Sequence, residues 1–152
     1  MNAASTPSQR FPRDARLLRH ADFQHVYKHG RRHFSTNMTV FYLFRKANDS
    51  DVRADEVGPG PRIGITVGRV LGNAVERVRI KRRIRNAVRL HLAMLEPPVD
   101  LVINPKKAVL KADFAKLGEE IQRTFEVLNQ KAKSSDTDRS AGPDAGRGVT
   151  QR

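Results

Sequence analysis

The most distinctive chemistry in this sequence belongs to the cations between Asn73 and Leu95. Seven cations accompany one carboxylate, Glu76, in this stretch. The cations are Arg77, Arg79, Lys81, Arg82, Arg83, Arg85 and Arg89. Crowded cations repel one another, and oppositely charged partners at i,i+4 are nearly absent, so the pattern suggests a polyanion that neutralises them. Because arginine also binds phosphate through paired hydrogen bonds, the stretch favours nucleic-acid binding over an ordinary solvated basic face.

Histidines and carboxylates offer a second possible chemistry, which is metal binding or hydrolysis. The five histidines are His20, His25, His29, His33 and His91. His25 and His29 are four residues apart, the smallest helical spacing at which two side chains share a metal. However, no Glu lies between them in the zinc-protease arrangement, no Cys completes a site, and no carboxylate pair suggests a two-metal nuclease. The sequence therefore predicts surface histidines, no catalytic residue and no metal site in the protein.

The glycines at Gly68 and Gly72 offer a third possibility, a nucleotide-binding loop. They form a Gly-x-x-x-Gly spacing directly before the basic stretch. The Lys-Ser/Thr ending of a P-loop is missing, and so is the dinucleotide-binding fingerprint. We therefore expect a turn here and no nucleotide cofactor.

The composition bounds the class of protein and its compartment. Lys plus Arg is 29 and Asp plus Glu is 16 in 152 residues, so the net charge is 29 − 16 = +13 and the pI is about 11.0. Such values are typical of nucleic-acid-binding domains. The absence of cysteine excludes disulfides and thiol catalysis, and it fits a reducing cytosol. No apolar run is long enough to span a membrane, and residues 1–10 lack the apolar core of a signal peptide, so we expect a cytoplasmic protein that does not contact a membrane.

A helix over residues 73–95 would position the cations. At roughly 100° per residue, its apolar residues fall on one stripe with the spacing of a core-facing helix. That stripe comprises Ile80, Ile84, Ala87, Val88, His91 and Leu95. Asn73 and Glu76 have the spacing of a capping box, and Pro97-Pro98 would end the helix. One face is thus predicted to be buried and the other basic.

The other predicted elements surround this helix. They are a helix over 22–29, strands over 36–45, 62–67 and 100–104, and a helix over 113–131. The order helix-strand-strand-helix-strand-helix predicts an α/β protein, an α+β two-layer sandwich with a mixed sheet. We expect the first two strands to form an antiparallel hairpin with a long loop, and the general rule predicts a right-handed crossover around the basic helix. One domain spans residues 13–131, between polar tails at 1–12 and 132–152 that are predicted to be disordered.

The first predicted helix carries an aromatic stripe. Phe23, Val26 and Tyr27 lie at i, i+3 and i+4 and therefore share one face. Such a stripe is usually part of a core. On the predicted strand at 36–45 neither face is purely polar, so both faces are predicted to be covered: one carries Met38, Val40, Tyr42 and Phe44, and the other Thr39, Phe41, Leu43 and Arg45.

The run RIGITVGRVLGNAVERVRIKRRIR, residues 62–85, resembles the signature region of the bacterial ribonuclease P protein family. In that family a strand is followed by a Gly-Asn turn and a helix that opens with Arg-Asn-Arg-x-Lys-Arg. Gly72 and Asn73 match the turn, and the matching basic positions are Arg77, Arg79, Lys81, Arg82 and Arg85. The resemblance extends from about Phe11 to Lys131. Two departures are Val78 in place of the family's Asn, and Gly68-Arg69-Val70 in place of Ser-Lys-Lys.

The resemblance implies a left-handed crossover and the function of a ribonuclease P protein subunit. In that enzyme the catalytic RNA removes the 5′ leader of precursor tRNA with Mg²⁺ bound by the RNA, and the protein has no active site of its own. RNA binding is implied for Arg69, Asn73, Arg77, Arg79, Lys81, Arg82 and Arg85. A cleft for the single-stranded leader is implied for Phe23, Tyr27 and Phe41. The partners are therefore the catalytic RNA and precursor tRNA, with no obligate protein partner.

Two other classes of function compete with this interpretation. A ribosomal or general RNA-binding protein would have the same charge, and the RNA that copurifies with the protein would distinguish it. A membrane-surface or calmodulin-binding helix is disfavoured, because the arginines occupy too wide an arc and the apolar stripe lacks aromatic residues.

Overall fold

Three helices and four strands make up the part of the chain that the computed structural model describes, residues 15–45 and 60–141, with side chains to residue 134. The helices are α1 (His20–His29), α2 (Ala74–His91) and α3 (Phe114–Ala141). The strands are β1 (Arg31–Phe34), β2 (Met38–Phe44), β3 (Arg62–Ile65) and β4 (Val99–Pro105). Short 3₁₀ turns lie at Arg69–Leu71, Leu92–Met94 and Lys107–Leu110.

The strands form one mixed sheet in the order β1-β2-β4-β3. The β1–β2 and β2–β4 pairs are antiparallel, and the β3–β4 pair is parallel. The predicted hairpin between the strands at 36–45 and 62–67 is therefore wrong, because β4 lies between β2 and β3. Residues Val99 to Ile103 are all buried, as a central strand covered on both faces requires.

The sequence interpretation missed strand β1. Its residues, Arg-Arg-His-Phe, are mostly exposed and do not alternate between polar and apolar. The strand is at the edge of the sheet and pairs with β2 from Arg31↔Tyr42 to Phe34↔Thr39. This strand is defined by its pairing with β2, so its own residues show no hydrophobic pattern from which it could be predicted.

Helices cover both faces of the sheet, as the mixed pattern of the strand at 36–45 predicted. Alternate residues of β2, including Val40 and Tyr42, join the main core with α2 and α3. Phe41 and Leu43 point to the opposite face, where they join a smaller cluster with α1 that includes Val102 of β4. The predicted α/β class with a mixed sheet is thus confirmed, with α1 on one face of the sheet and α2 and α3 on the other.

Helix α2 connects two parallel neighbours in the sheet, so β3, α2 and β4 form a β-α-β unit. The left-handed crossover that the resemblance implies stays a prediction.

The boundaries of all three helices differ from the predicted ones. Helix α1 begins at His20, earlier than residue 22. Helix α2 ends at His91, earlier than residue 95, and α3 extends to Ala141, beyond residue 131. The predicted N-terminal tail, most of the polar loop after β2, and residues 142–152 lie outside the described residues. Within residues 15–45 and 60–141, no helix is long and apolar enough to cross a membrane.

Candidate nucleic-acid interface

The turn before α2 fixes where the basic helix begins. Asn73 Oδ1 accepts a hydrogen bond from Glu76 N at 2.8 Å, and Glu76 Oε1 accepts one from Asn73 N at 3.0 Å. These two bonds form the predicted capping box. Gly72 precedes it with a φ of 143°, a conformation that side chains strain. The helix therefore starts at one defined residue, which orients the cations of its first turns.

The apolar stripe of α2 is anchored in the core. Ile80, Ile84, Ala87 and Val88 are fully buried, and His91 is partly buried with Nδ1 3.0 Å from Ala87 O. Opposite this stripe, several predicted RNA-binding cations are exposed. They are Arg79, Lys81, Arg82 and Arg85 on α2, with Arg69 on the preceding turn. With Asn73 and Arg77 they form what we call the basic surface.

Three arginines of α2 are partly buried, unlike the exposed cations. Arg83 is partly buried, and its Nη2 donates a hydrogen bond to the carbonyl oxygen of Ala112 before α3. Arg89 is also partly buried. Arg77 is partly buried because its Nε donates to Gly72 O at 3.2 Å, which holds the side chain against the turn. Periodicity alone did not separate the inward-facing cations from the exposed ones.

Val78 lies among the exposed cations. It is 49% exposed, so it lies away from the buried apolar stripe. Val75 and Val70 are also largely exposed. The start of the basic surface therefore combines arginines with uncovered aliphatic side chains.

A second surface lies where α1 packs on the sheet, and the structure brings Phe23, Tyr27 and Phe41 together there. The Tyr27 and Phe41 rings meet edge to face with centroids 4.8 Å apart. The Tyr27 hydroxyl donates to Asn104 Oδ1 at 3.0 Å and lies 3.3 Å from Thr66 Oγ1. All three aromatic side chains are partly exposed, and they pack at the edge of the small buried cluster of Leu17, Val26 and Val102. We call this group the aromatic cleft.

Gly64 allows Phe23 to lie close to the sheet. A Cβ atom at Gly64 would come within 2.4 Å of Phe23 Cζ, so any side chain there would displace the ring. The absence of a side chain at Gly64 on β3 thus leaves the space that the Phe23 ring occupies.

A cation that sequence reasoning missed also borders the aromatic cleft. Arg32 of β1 is exposed, and its Cζ lies 5.6 Å from the centroid of the Phe41 ring, within cation–π range. Arg32 is directly opposite Phe41 in the β1–β2 register. Since β1 was not predicted, this register was not available from the sequence.

A buried ion network joins α1 to β3, to β4 and to Arg45, the residue after β2. Asp100 of β4 accepts hydrogen bonds from Arg62 Nε at 2.9 Å, from Arg62 Nη2 at 2.7 Å and from Arg45 Nη1 at 2.6 Å. Arg62 Nη1 lies 3.2 Å from Asp22 Oδ2 on α1. Burial alone would lower the pKa of Arg62, but its bonds to Asp100 and the charges of Asp100 and Asp22 raise it. The network holds the beginning of α1, and with it Phe23, against the sheet.

Two of the histidines, His25 and His29, lie side by side on α1. The His25 and His29 rings are 4.7 Å apart, and no group of three or more His, Cys, Asp or Glu that could hold a metal occurs in residues 15–45 and 60–141.

Comparisons with known proteins point to one group of relatives. The family model described as Ribonuclease P matches residues 11–129. A ribonuclease P protein component from Mycobacterium avium is 37% identical over 112 residues, covering 74% of this chain and 89% of that protein. One from Acidothermus cellulolyticus is 36% identical over 126 residues, covering 83% of this chain and 98% of that protein.

Solved structures with a similar fold come from the same group of proteins. The Staphylococcus aureus RNase P protein matches with a TM-score of 0.58 at 24% identity, covering 75% of this chain and 94% of that one. The Thermotoga maritima RNase P protein matches with a TM-score of 0.59 at 23% identity, covering 72% and 94%.

Proposed function

The chain belongs to the ribonuclease P protein family, and from that membership we propose how it acts. It is the protein subunit of ribonuclease P, the endoribonuclease that removes the 5′ leader from precursor tRNA. The protein supplies RNA binding, while the catalytic RNA performs hydrolysis with Mg²⁺ that the RNA itself holds. The complex works in the cytoplasm, where precursor tRNA is made, and needs no further obligate protein.

The observation that carries this proposal is the separation of two chemically different surfaces. The basic surface is fixed on one side of α2 by the buried stripe, and its cations point away from the core. Its residues bind backbone phosphates of the folded catalytic RNA, because arginine forks match phosphate geometry. They are Arg69, Asn73, Arg77, Arg79, Lys81, Arg82 and Arg85.

The aromatic cleft binds the single-stranded leader. Phe23, Tyr27 and Phe41 offer partly exposed ring surfaces, on which unpaired bases stack without a strict sequence requirement. Phosphate contacts alone distinguish precursor from mature tRNA poorly, because both are polyanions of similar shape. A stacking cleft does distinguish them, since only the precursor carries a leader.

Reconstitution tests the division of labour between protein and RNA. At low Mg²⁺, the protein should restore cleavage of precursor tRNA by its cognate catalytic RNA, and the protein alone should cleave nothing. Specific cleavage at the mature 5′ end by rigorously RNA-free protein would contradict the proposal. RNA that copurifies with the protein should be one large structured species, and bulk ribosomal RNA would instead support a general RNA-binding protein.

Binding of precursor and mature tRNA to the assembled complex tests the aromatic cleft. Stacking contributes about 1–3 kcal/mol per base, so Phe23→Ala and Phe41→Ala should each weaken precursor binding roughly fivefold to 150-fold and leave mature tRNA binding almost unchanged. Phe114→Ala is a matched control, because Phe114 is an exposed phenylalanine at the start of α3. In variants whose thermal melt shows a folded protein, an unchanged ratio of the two affinities would leave Phe23 and Phe41 as packing residues only.

A further inference from the structure

The face of the sheet that carries the aromatic cleft continues onto β1. Arg32 is opposite Phe41, and Phe34 is opposite Thr39 in the antiparallel β1–β2 pair. Directly opposed residues project from the same face, and residues two apart on a strand share a face. Phe34, Arg32 and Phe41 therefore share one face of the sheet. Arg32 is opposite Phe41, and Phe34 is diagonal to Phe41 at a typical separation of about 7–8 Å.

Phe34 is not used by the core. Its side chain is 56% exposed, and it belongs to neither hydrophobic cluster. The residue before it, His33, points to the opposite face, where Glu120 and Lys131 of α3 act on it. One exposed phenylalanine needs no explanation by itself, so the argument depends on what surrounds it.

Cations lie on both sides of Phe34. Arg32 extends from the same face of the same strand and reaches the Phe41 ring, at 5.6 Å from its centroid. On the other side, Lys106 Nζ donates to the carbonyl oxygen of Ser35, the residue after Phe34, at 3.3 Å. The path from Phe34 along β1 to Arg32 and across to Phe41 thus alternates aromatic ring, guanidinium and aromatic ring, and Lys106 adds an ammonium group beside Ser35.

This alternation fits single-stranded RNA. Bases stack on phenyl rings and on guanidinium planes, and the cations neutralise the phosphates between the bases. An acidic peptide would use the cations but would gain little from two open ring faces. We propose that Arg32 and Phe34 bind a nucleotide of single-stranded RNA that continues past the aromatic cleft, so that the leader track runs across β2 onto β1.

The inference rests on the proposed leader-binding role of the aromatic cleft and predicts a dependence on leader length. A short leader fills the aromatic cleft without reaching Phe34, whereas a longer one gains the additional stacking contact. The affinity of the assembled complex for precursor tRNA should therefore rise with each added nucleotide up to a plateau.

The experiment uses the full chain assembled with its cognate catalytic RNA and precursors whose leaders grow by one nucleotide at a time. Phe34→Ala should match the wild-type chain on the shortest leaders and bind the longest ones roughly fivefold to 150-fold more weakly. Phe34→Tyr should retain the plateau, because the ring is kept. Phe114→Ala should follow the wild-type curve at every length.

The outcomes separate this inference from the proposed function. If Phe34→Ala follows the wild-type curve, or weakens mature tRNA and all precursors equally, the β1 site is disproved. Phe23→Ala in the same series tests the aromatic cleft independently, because its effect should already appear on short leaders. A length-dependent loss in Phe34→Ala with no loss in Phe23→Ala would retain the β1 site and contradict the aromatic cleft.

Discussion

Val78 takes the place of the Asn in the family's Arg-Asn-Arg motif, whose two arginines are matched by Arg77 and Arg79. It lies at i−4 from Arg82 on the exposed side of α2 and is 49% exposed. Its neighbours on that side are the cations of the basic surface, so an amide at this position would lie among them.

Val78→Asn should change the free energy of unfolding by less than about 0.5 kcal/mol, because the side chain fills no core position and Val and Asn have similar helix propensities. Binding to the catalytic RNA should stay equal or become tighter, since an amide can hydrogen-bond to phosphate or sugar. Denaturant unfolding and a binding titration measure the two effects. A loss above about 2 kcal/mol, the size expected for a buried apolar site, would show that Val78 packs inward.

His33 is the residue through which pH should act on stability. Burial lowers its pKa below the ordinary value of 6.5, the positive charge of Lys131 lowers it further, and Glu120 opposes both. The folded protein therefore holds His33 neutral at a pH where the unfolded chain already binds a proton. This contribution to stability is complete above pH 6.5 and is lost as the pH falls from there to the folded-state pKa.

Unfolding free energies measured from pH 7.5 downward, compared between the wild-type chain and His33→Gln, isolate this effect. The wild-type chain should lose stability relative to the variant below about pH 6.5. Parallel curves for the two proteins would mean that His33 titrates normally when folded.

At the scale of elements, the ion network places α1 on the sheet. Asp100 is 2% exposed and neutralises two arginines, whereas Asp22 on α1 is more exposed and contacts only the edge of Arg62. The network therefore has a buried centre and a peripheral link to α1.

Asp100→Asn should lower the free energy of unfolding by about 3–5 kcal/mol, because it removes the buried carboxylate charge that both guanidinium groups contact. Asp22→Asn, which removes a partly exposed partner, should cost clearly less. Chemical denaturation of both variants tests the order of these effects. Equal losses would mean that Asp100 is no more central to the network than Asp22.

Residue patterns predicted α2 and its cap because the necessary information is local. The capping box needs only Asn73 and Glu76, and the buried stripe repeats every three or four residues. The place of β4 between β2 and β3 depends on pairing between distant segments, and no local pattern encodes it. Edge strand β1, the Arg32–Phe41 contact and the Asp22–Arg62–Asp100 network follow from that pairing, so they were missed. The exposure of Phe34 needed both the strand and its register.

At the scale of the whole molecule, the chain carries a net charge of +13. The cations of α2 that contribute to it do not all face the same way. Arg83 is turned toward Ala112, whereas Arg79, Lys81, Arg82 and Arg85 face outward. Affinity for the catalytic RNA should therefore depend on the outward cations and steeply on salt.

If about five phosphates are neutralised, log K should fall with log salt at a slope of roughly −3.5 to −4.5. Arg79→Ala and Arg82→Ala should each reduce the magnitude of this slope by about one. Arg123→Ala on the exposed side of α3 and Arg83→Ala, the neighbour that is turned inward, are the matched controls and should leave it unchanged. A flat salt response, or equal effects in all four variants, would remove the electrostatic basis of assembly.

The central position of β4 also determines when this protein can become specific during its own synthesis. A ribosome releases β3 and the arginines of α2 before residues 99–105, which pair with both β2 and β3, and before α3, which covers the apolar stripe of α2. Until then the nascent chain is a polycation without a fixed surface, next to a ribosome rich in RNA, and its attraction to phosphates is unselective. Selective binding therefore requires β4 and α3, which are synthesised after the arginines of α2. Before they fold, the chain cannot distinguish its partner RNA from ribosomal RNA.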